Sequence, residues 1–266
     1  MCFDLSFSSG LETIYDYLPD LDKAQLNFDF EPTYHRFGIG SYPLWPVLIN
    51  DNDTIKLVKF NWGPIPKMLD TIEKVKKQRQ MFLNSRTEKY LTVGTMWNAI
   101  LHQRCIIPVT GFFEYREIAP KVKVCYYVRR RDGKPILLAG LWALSKSWDV
   151  DKPEKIPTFT MGTREANLLL RHIHNSGENR HRMPMMLKPG SELNWLNPEL
   201  DNFGIDEMIR YEIPSSDLIA TTVRSVRKRH PDDSTVIEAF EYPGIPVECI
   251  ESEYLSKRGG SSDLLF

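Results

Sequence analysis

The chain of 266 residues has little cysteine, no long apolar run and almost no net charge, and each absence removes a class of function. Its four cysteines are Cys2, Cys105, Cys125 and Cys249. None forms a CxxC pair or stands at zinc-ligand spacing from a histidine, so neither a structural metal nor a cofactor is expected. Cysteine this sparse predicts reduced thiols in a reducing compartment. No apolar stretch approaches the ~20 residues that span a bilayer. The N-terminus lacks a basic region followed by an apolar core, so no secretory signal is read there. The expectation is a cytoplasmic protein without a membrane partner. The formal net charge of -1 provides no global field toward polyanions, so any nucleic-acid site must be a local basic patch. Repeats and long linkers are missing too. A single domain is expected over 1–250, followed by a flexible tail over 251–266 that contains the Gly/Ser-rich SKRGGSSDLLF from Ser256.

What is present is ordinary globular material, 42% hydrophobic and 26% charged. From Lys67, KMLDTIEKVKKQRQMFL has apolar residues at helical spacing and predicts a helix that runs into Asn84-Ser85-Arg86. RCIIPVTGFFEYRE, from Arg104, reads as one strand with a Pro/Gly irregularity. KVCYYVRRRDGKPILLAGLWAL, from Lys123, reads as a hairpin about Asp132-Gly133. PTFTMGT, from Pro157, is a further strand. In TREANLLLRHIHNSG, Thr163 is an expected N-cap and Ala166, Leu169, Leu170 and Ile173 form one apolar face, which puts His174 in the last turn. The carbonyl end of that helix would favour a protonated histidine. DLIATTVRSV and STVIEAFEY read as strands around the basic RKRH. The mixture predicts an α+β fold with a largely antiparallel sheet.

Four places carry residue types that do chemistry. Cys2 directly follows Met1. With Met1 removed, it would offer an amine of pKa ~8 beside a thiol of pKa ~8.5. Such a 1,2-aminothiol condenses with an aldehyde to an imine and closes to a thiazolidine; alternatively, cysteine at position 2 is incidental. Glu114, in GFFEY, either points to solvent between inward aromatics or occupies an apolar pocket, where desolvation would raise its pKa and suit it to acid–base work. Asn84 and Arg86 are turn residues with a solvated charge, or residues that orient a substrate and bind a phosphate. IHNSGENRHRMPMML, from Ile173, places His174, Arg180, His181 and Arg182 between two apolar runs. Trp62, in NWGPIP, is either packing or a stacking platform for a base. The clusters Arg129–Arg131 and Arg227–His230 are further basic patches, the first most simply a solvated edge.

Taken in order, MC, WGPIP at Trp62, NSRTE at Asn84, RCIIPVTGFFEY at Arg104, AGLW at Ala139, TREAN at Thr163, and IHN followed by RMPMML resemble the SRAP family, the SOS-response-associated peptidase domain, from Met1 to about Val247. The resemblance implies a curved, barrel-like, largely antiparallel sheet with flanking helices. It implies recognition of abasic sites in single-stranded DNA and a covalent thiazolidine link through Cys2. Loss of Met1 would be self-catalysed, making the protein an autocatalytic cysteine peptidase, with strand-cleaving lyase activity left open.

By motif, Cys2 is the nucleophile, Asn84 positions its amine and the sugar, and Glu114 is the general acid–base. Arg86 and Arg182 bind flanking phosphates, and Trp62 stacks on a base. The histidine departs from the family's short IHxRMP arrangement, because SGENRH separates IHN from RMP. His174 is favoured as the catalytic histidine by its helix-end position, which leaves His181 among the DNA-binding residues. A monomer, nucleoid-associated when bound to DNA, is expected. Two other readings use the same chain: an N-terminal-nucleophile amidohydrolase acting on a small amide, and a noncatalytic nucleic-acid reader.

Overall fold

Twelve strands form the framework of the chain that the computed structural model describes, residues 3–19, 21, 30–147, 154–227 and 229–250. Cys2 and the 251–266 tail lie outside the described residues. In chain order the strands are β1 (Asp4–Phe7), β2 (Thr33–Phe37), β3 (Leu44–Asp51), β4 (Thr54–Trp62), β5 (Asn84–Arg86), β6 (Arg104–Val109), β7 (Gly111–Ala119), β8 (Val122–Arg130), β9 (Ile136–Lys146), β10 (Lys155–Glu165), β11 (Arg182–Pro184) and β12 (Leu218–Val223). The helices are short: α1 (Glu12–Tyr17), α2 (Ile72–Gln78), α3 (Met96–Ala99), α4 (Leu168–Ile173) and α5 (Asn202–Arg210).

Five strands close on themselves in the order β10-β4-β3-β6-β9, with β9 pairing back to β10. All these pairings are antiparallel except β10 with β4. Closure removes the exposed strand edges that an open sheet would present. β10 also carries β5, parallel, and β11, antiparallel, at the end near Thr163. The second sheet, β12-β8-β7-β1-β2, is antiparallel throughout. The expected α+β, barrel-like, largely antiparallel architecture is what the chain adopts.

The second sheet is buried on both faces. Along β7 and β8, Phe112, Val124, Tyr126 and Val128 join the main core. Phe113, Cys125 and Tyr127 join a separate cluster with Val223, Val226 and Val236 on the other face. Successive side chains alternate between faces, so a strand covered on both sides becomes a continuous apolar run.

That double burial accounts for two corrections. The segment from Arg104 is two strands in different sheets, β6 and β7, joined through Thr110. Thr110 donates its backbone N–H to the Ser6 carbonyl (2.8 Å), and its hydroxyl accepts from the Ser8 N–H (2.9 Å). At Gly111 a Cβ would meet the Tyr127 ring at 2.5 Å, so glycine makes the crossing possible. The expected hairpin about Asp132-Gly133 is likewise a passage between sheets: β8 pairs with β7 and β12, β9 with β6 and β10.

Local signals moved other boundaries. The helix expected from Lys67 begins at Ile72, because the Thr71 side chain caps Lys74 N–H, and it tightens to a 3-10 turn over Arg79–Phe82. α4 is capped by Asn167 rather than Thr163, which lies inside β10. In STVIEAFEY, Ser234–Ile237 forms a 3-10 turn rather than a strand, started by Asp233 accepting from Thr235 N–H.

Candidate active site

Thr163, on β10, is the point where three motifs meet. It pairs with Arg86 of β5 and with Pro184 of β11. Its hydroxyl donates to the Ser85 carbonyl (3.1 Å), and its own carbonyl accepts from the Thr87 hydroxyl (3.2 Å). Asn84 and Ser85 are buried in this arrangement and Arg86 is exposed. NSR is therefore a short parallel strand rather than a turn, buried at Asn84 and Ser85 and exposed at Arg86. The Arg86 guanidinium donates to Asn179 Oδ1 (3.0 Å).

Arg182 is committed differently. Its guanidinium donates to both Glu88 carboxylate oxygens, one at 2.9 Å, and to the Thr163 carbonyl. Burial alone would raise the Glu88 pKa, but the hydrogen bonds from Arg182 and the backbone outweigh it and hold the carboxyl below its ordinary value. Arg182 thus ties RMP to NSRTE, with its guanidinium engaged by Glu88 and Thr163. Arg86 is the solvent-facing guanidinium of the two.

The loop between IHN and RMP sets the two histidines in different surroundings. The His181 N–H donates to the His174 carbonyl (2.7 Å), which closes the excursion of residues 175–180. His174 Nδ1 lies 2.9 Å from the Arg182 carbonyl and 3.4 Å from the Arg182 backbone nitrogen, so the ring is held to Arg182 through Nδ1. Despite the insertion, His174 is brought against Arg182 and is buried. His181 is half-buried with φ of 62°, and its pKa is lowered by burial and by Arg171 and Arg180.

Asn175, in sequence a helix stop signal, locks this end of α4 to β7. Its Oδ1 accepts from Glu117 N–H and its Nδ2 donates to the Glu117 carbonyl, both at 2.9 Å, imitating one rung of a sheet. The Ile-His-Asn triplet was visible, but an amide pairing with a strand 58 residues away in sequence has no local signature.

Three residues back along β7 is Glu114. It is only 4% exposed, on the face that Phe112 and Tyr126 share with the main core, and its Oε1 has no hydrogen-bond partner among the described residues. Of the two sequence readings of Glu114, burial is the one found. A buried carboxylate oxygen left without a donor is costly. β1 lies beside β7 with Leu5 opposite Phe112 and Ser6 opposite Gly111. Carried two residues back, that register sets Phe3 across from Glu114, one residue after Cys2.

A second path leads from the start of β1 to Asn84. The Phe3 carbonyl accepts from Gly38 N–H (2.8 Å). Gly38 packs so tightly that a Cβ would meet the Trp62 ring at 2.9 Å. Trp62 donates its Nε1 proton to the Leu83 carbonyl (2.8 Å), immediately before Asn84, and lies parallel to Phe159. Trp62 is fully buried, so it packs in the core and offers no exposed face to a base in this structure.

Cys105, Cys125 and Cys249 are free thiols and buried. Burial pushes Cys125 up to about 12 and raises Cys105 well above its ordinary value, so neither is a nucleophile. Among the described residues no cluster of His, Cys, Asp or Glu is arranged to hold a metal ion. No helix of the described chain is long and apolar enough to cross a membrane.

Comparison with known proteins agrees with this organisation. The abasic site processing protein YoqW of Bacillus subtilis is 28% identical over 224 residues, covering 77% of this chain and 92% of its own. The abasic site processing protein YoaM of the same organism is 25% identical over 225 residues, covering 81% and 92%. A crystal structure of a protein from Bacteroides thetaiotaomicron superposes with a TM-score of 0.71 at 27% identity, over 90% of this chain and all of that one. One from Bordetella bronchiseptica shares the fold with a TM-score of 0.65 at 21% identity, over 84% and 100%. The family profile of the SOS response associated peptidase (SRAP) matches residues 1–228, and the chain belongs to that family.

Proposed function

We propose that this protein recognises abasic sites in single-stranded DNA and captures them covalently through Cys2, after hydrolysis of the Met1–Cys2 peptide bond. The observation that carries the reading is the buried, incompletely partnered Glu114 carboxylate, in register with the residue that follows Cys2. The names of the Bacillus subtilis relatives support it.

In this reading the Cys2 α-amine attacks C1′ of the ring-opened sugar, and Glu114 takes a proton from the ammonium. His174, with its ring fixed through Nδ1, acts as the imidazolium: it gives its Nε2 proton to the departing hydroxyl and is left neutral, so that one water leaves and an imine forms. The Cys2 thiolate then adds to the imine carbon and the nitrogen takes up a proton, closing a five-membered thiazolidine. Asn84 orients the amine and sugar, and Arg86 takes a flanking phosphate. The same Glu114 would assist the attack of water on the Met1 carbonyl. Binding through phosphates and sugar predicts weak sequence preference and affinity that falls with salt. No metal or cofactor enters these steps, and the protein acts as a cytoplasmic monomer.

The test is to incubate the protein with a single-stranded oligonucleotide carrying one abasic site and resolve it on a denaturing gel. A covalent band that is lost in Cys2→Ala and missing with undamaged strand is expected. No band, from protein whose mass shows Met1 removed, overturns the proposal. Amide hydrolysis without DNA attachment would favour the amidohydrolase reading, and unchanged DNA binding with no adduct would favour the noncatalytic reader.

A further inference from the structure

Arg227 and Arg229 of the RKRH cluster, left without a role above, reach the start of β1 from the far end of the chain. A cavity of about 770 Å³ opens there, lined by Asp4, His35, Arg36, Phe37, Ile39, Ser41, Pro43, Arg227, Arg229 and Pro231. Its walls differ in chemistry. Phe37, Ile39, Pro43 and Pro231 form an apolar side, with Phe37 36% exposed. Arg36, Arg227 and Arg229 form a cationic one. Asp4 and His35 are buried and joined by a 2.6 Å hydrogen bond.

Two constraints hold the arginines in place. The Arg227 guanidinium lies over the Tyr115 ring at 5.1 Å. His35 N–H donates to the Pro231 carbonyl (3.1 Å), pinning the C-terminal segment to β2. Two of the arginines have one acidic partner each: Arg36 lies 3.8 Å from Asp232, and Arg229 donates to Asp233 through a single nitrogen at 3.4 Å. Neither is a bidentate pair, and both arginines keep donors for another anion.

An apolar wall facing a set of guanidinium groups fits a base and its phosphates better than a bare anion or a bare apolar group. We propose that this cavity seats a nucleotide of the DNA strand adjacent to the abasic site, with its base on the Phe37 and Pro231 side and its phosphates on Arg227 and Arg229. This rests on the reading of the site as a single-strand DNA binder. It adds that the segment from Arg227 onward, which runs past the family match at residue 228, is part of the DNA path on this protein. Asp4, the first residue of β1, lines the cavity and follows Cys2 by two residues in sequence.

The test uses full-length Arg227→Ala/Arg229→Ala protein, both positions being exposed, with thermal unfolding as a control for folding. Noncovalent binding is read on a Cys2→Ala background with undamaged single strands, so the result does not depend on crosslinking. Affinity should fall about tenfold, and the slope of log K against log salt should flatten by about 1.4, the value for two lost phosphate contacts on a single strand. Arg227→Lys/Arg229→Lys should restore most of the slope. Shortening an abasic strand from its 5′ end and, separately, from its 3′ end should abolish the difference between wild type and double variant at one end only. Equal affinity and slope in wild type and double variant would overturn the proposal. So would tight binding of deoxyadenosine monophosphate at the cavity with no effect on strands, since the site would then belong to a free nucleotide. Loss of strand affinity in a protein that never forms an adduct would keep this site and refute covalent capture instead.

Discussion

Replacing His174 by alanine should slow adduct formation by about 10²–10⁴-fold, the usual contribution of a positioned general acid–base, or about 3–5 kcal/mol of barrier. The structural loss is smaller. The hydrogen bond between Nδ1 and the Arg182 carbonyl contributes about 0.5–1.5 kcal/mol, which lowers Tm by a few degrees in a chain of this size. His181→Gly is the contrasting perturbation. His181 has φ of 62°, which costs a non-glycine residue about 1 kcal/mol, offset by the greater freedom glycine has when unfolded. The backbone groups that close the loop, His181 N–H to the His174 carbonyl and Ala166 N–H to the His181 carbonyl, survive that substitution. Tm and adduct rate should both stay close to wild type. The assay is single-turnover crosslinking at saturating abasic strand, quenched and resolved on a denaturing gel, with Tm measured in parallel. If His181→Gly slows adduct formation as much as His174→Ala, or if His174→Ala lowers Tm and leaves the rate intact, the assignment is wrong.

Asn175→Ala removes both hydrogen bonds to Glu117 and should cost about 1–3 kcal/mol, seen as a lower Tm together with slower crosslinking as α4 and β7 lose register. Gly38→Ala drives a Cβ against the Trp62 ring at 2.9 Å and should destabilise by about 1–3 kcal/mol in denaturant unfolding. Iodoacetamide should label a single thiol of the folded protein, Cys2, and four after denaturation, since the other three cysteines are buried; intact mass counts the labels. Glu88→Gln should be less stable than wild type at neutral pH. Because the folded Glu88 pKa lies below its ordinary 4.5, its contribution is full above that value and fades as pH falls through the folded pKa, so the Tm difference should close under acid.

The order of motifs was readable from the chain, and so was the strand character of β10 and β12. Pairing was not. The apolar runs of β8 and β9 look like a hairpin because a strand buried on both faces loses the alternation that identifies its partner, and here each run belongs to a different sheet. Glu114 shows the same limit at one residue: GFFEY fits an outward or an inward carboxylate, and the core packed on the Phe112 face decides it. Trp62 was ambiguous for want of its neighbours, Gly38 and the Leu83 carbonyl, each about twenty residues away in sequence. His174 could be favoured from its place at a helix end. That the six inserted residues loop out and return Arg182 to its ring depends on a backbone hydrogen bond that no residue type announces.

The central claim is that Cys2 closes a thiazolidine on the lesion, and the intact mass of the adduct tests it most directly. The account predicts protein lacking Met1, plus the abasic strand, minus one water, with the same mass after borohydride because a closed ring has no imine to reduce. An adduct that retains Met1, gains two hydrogens with borohydride, or persists in Cys2→Ser with unchanged heat stability would contradict it.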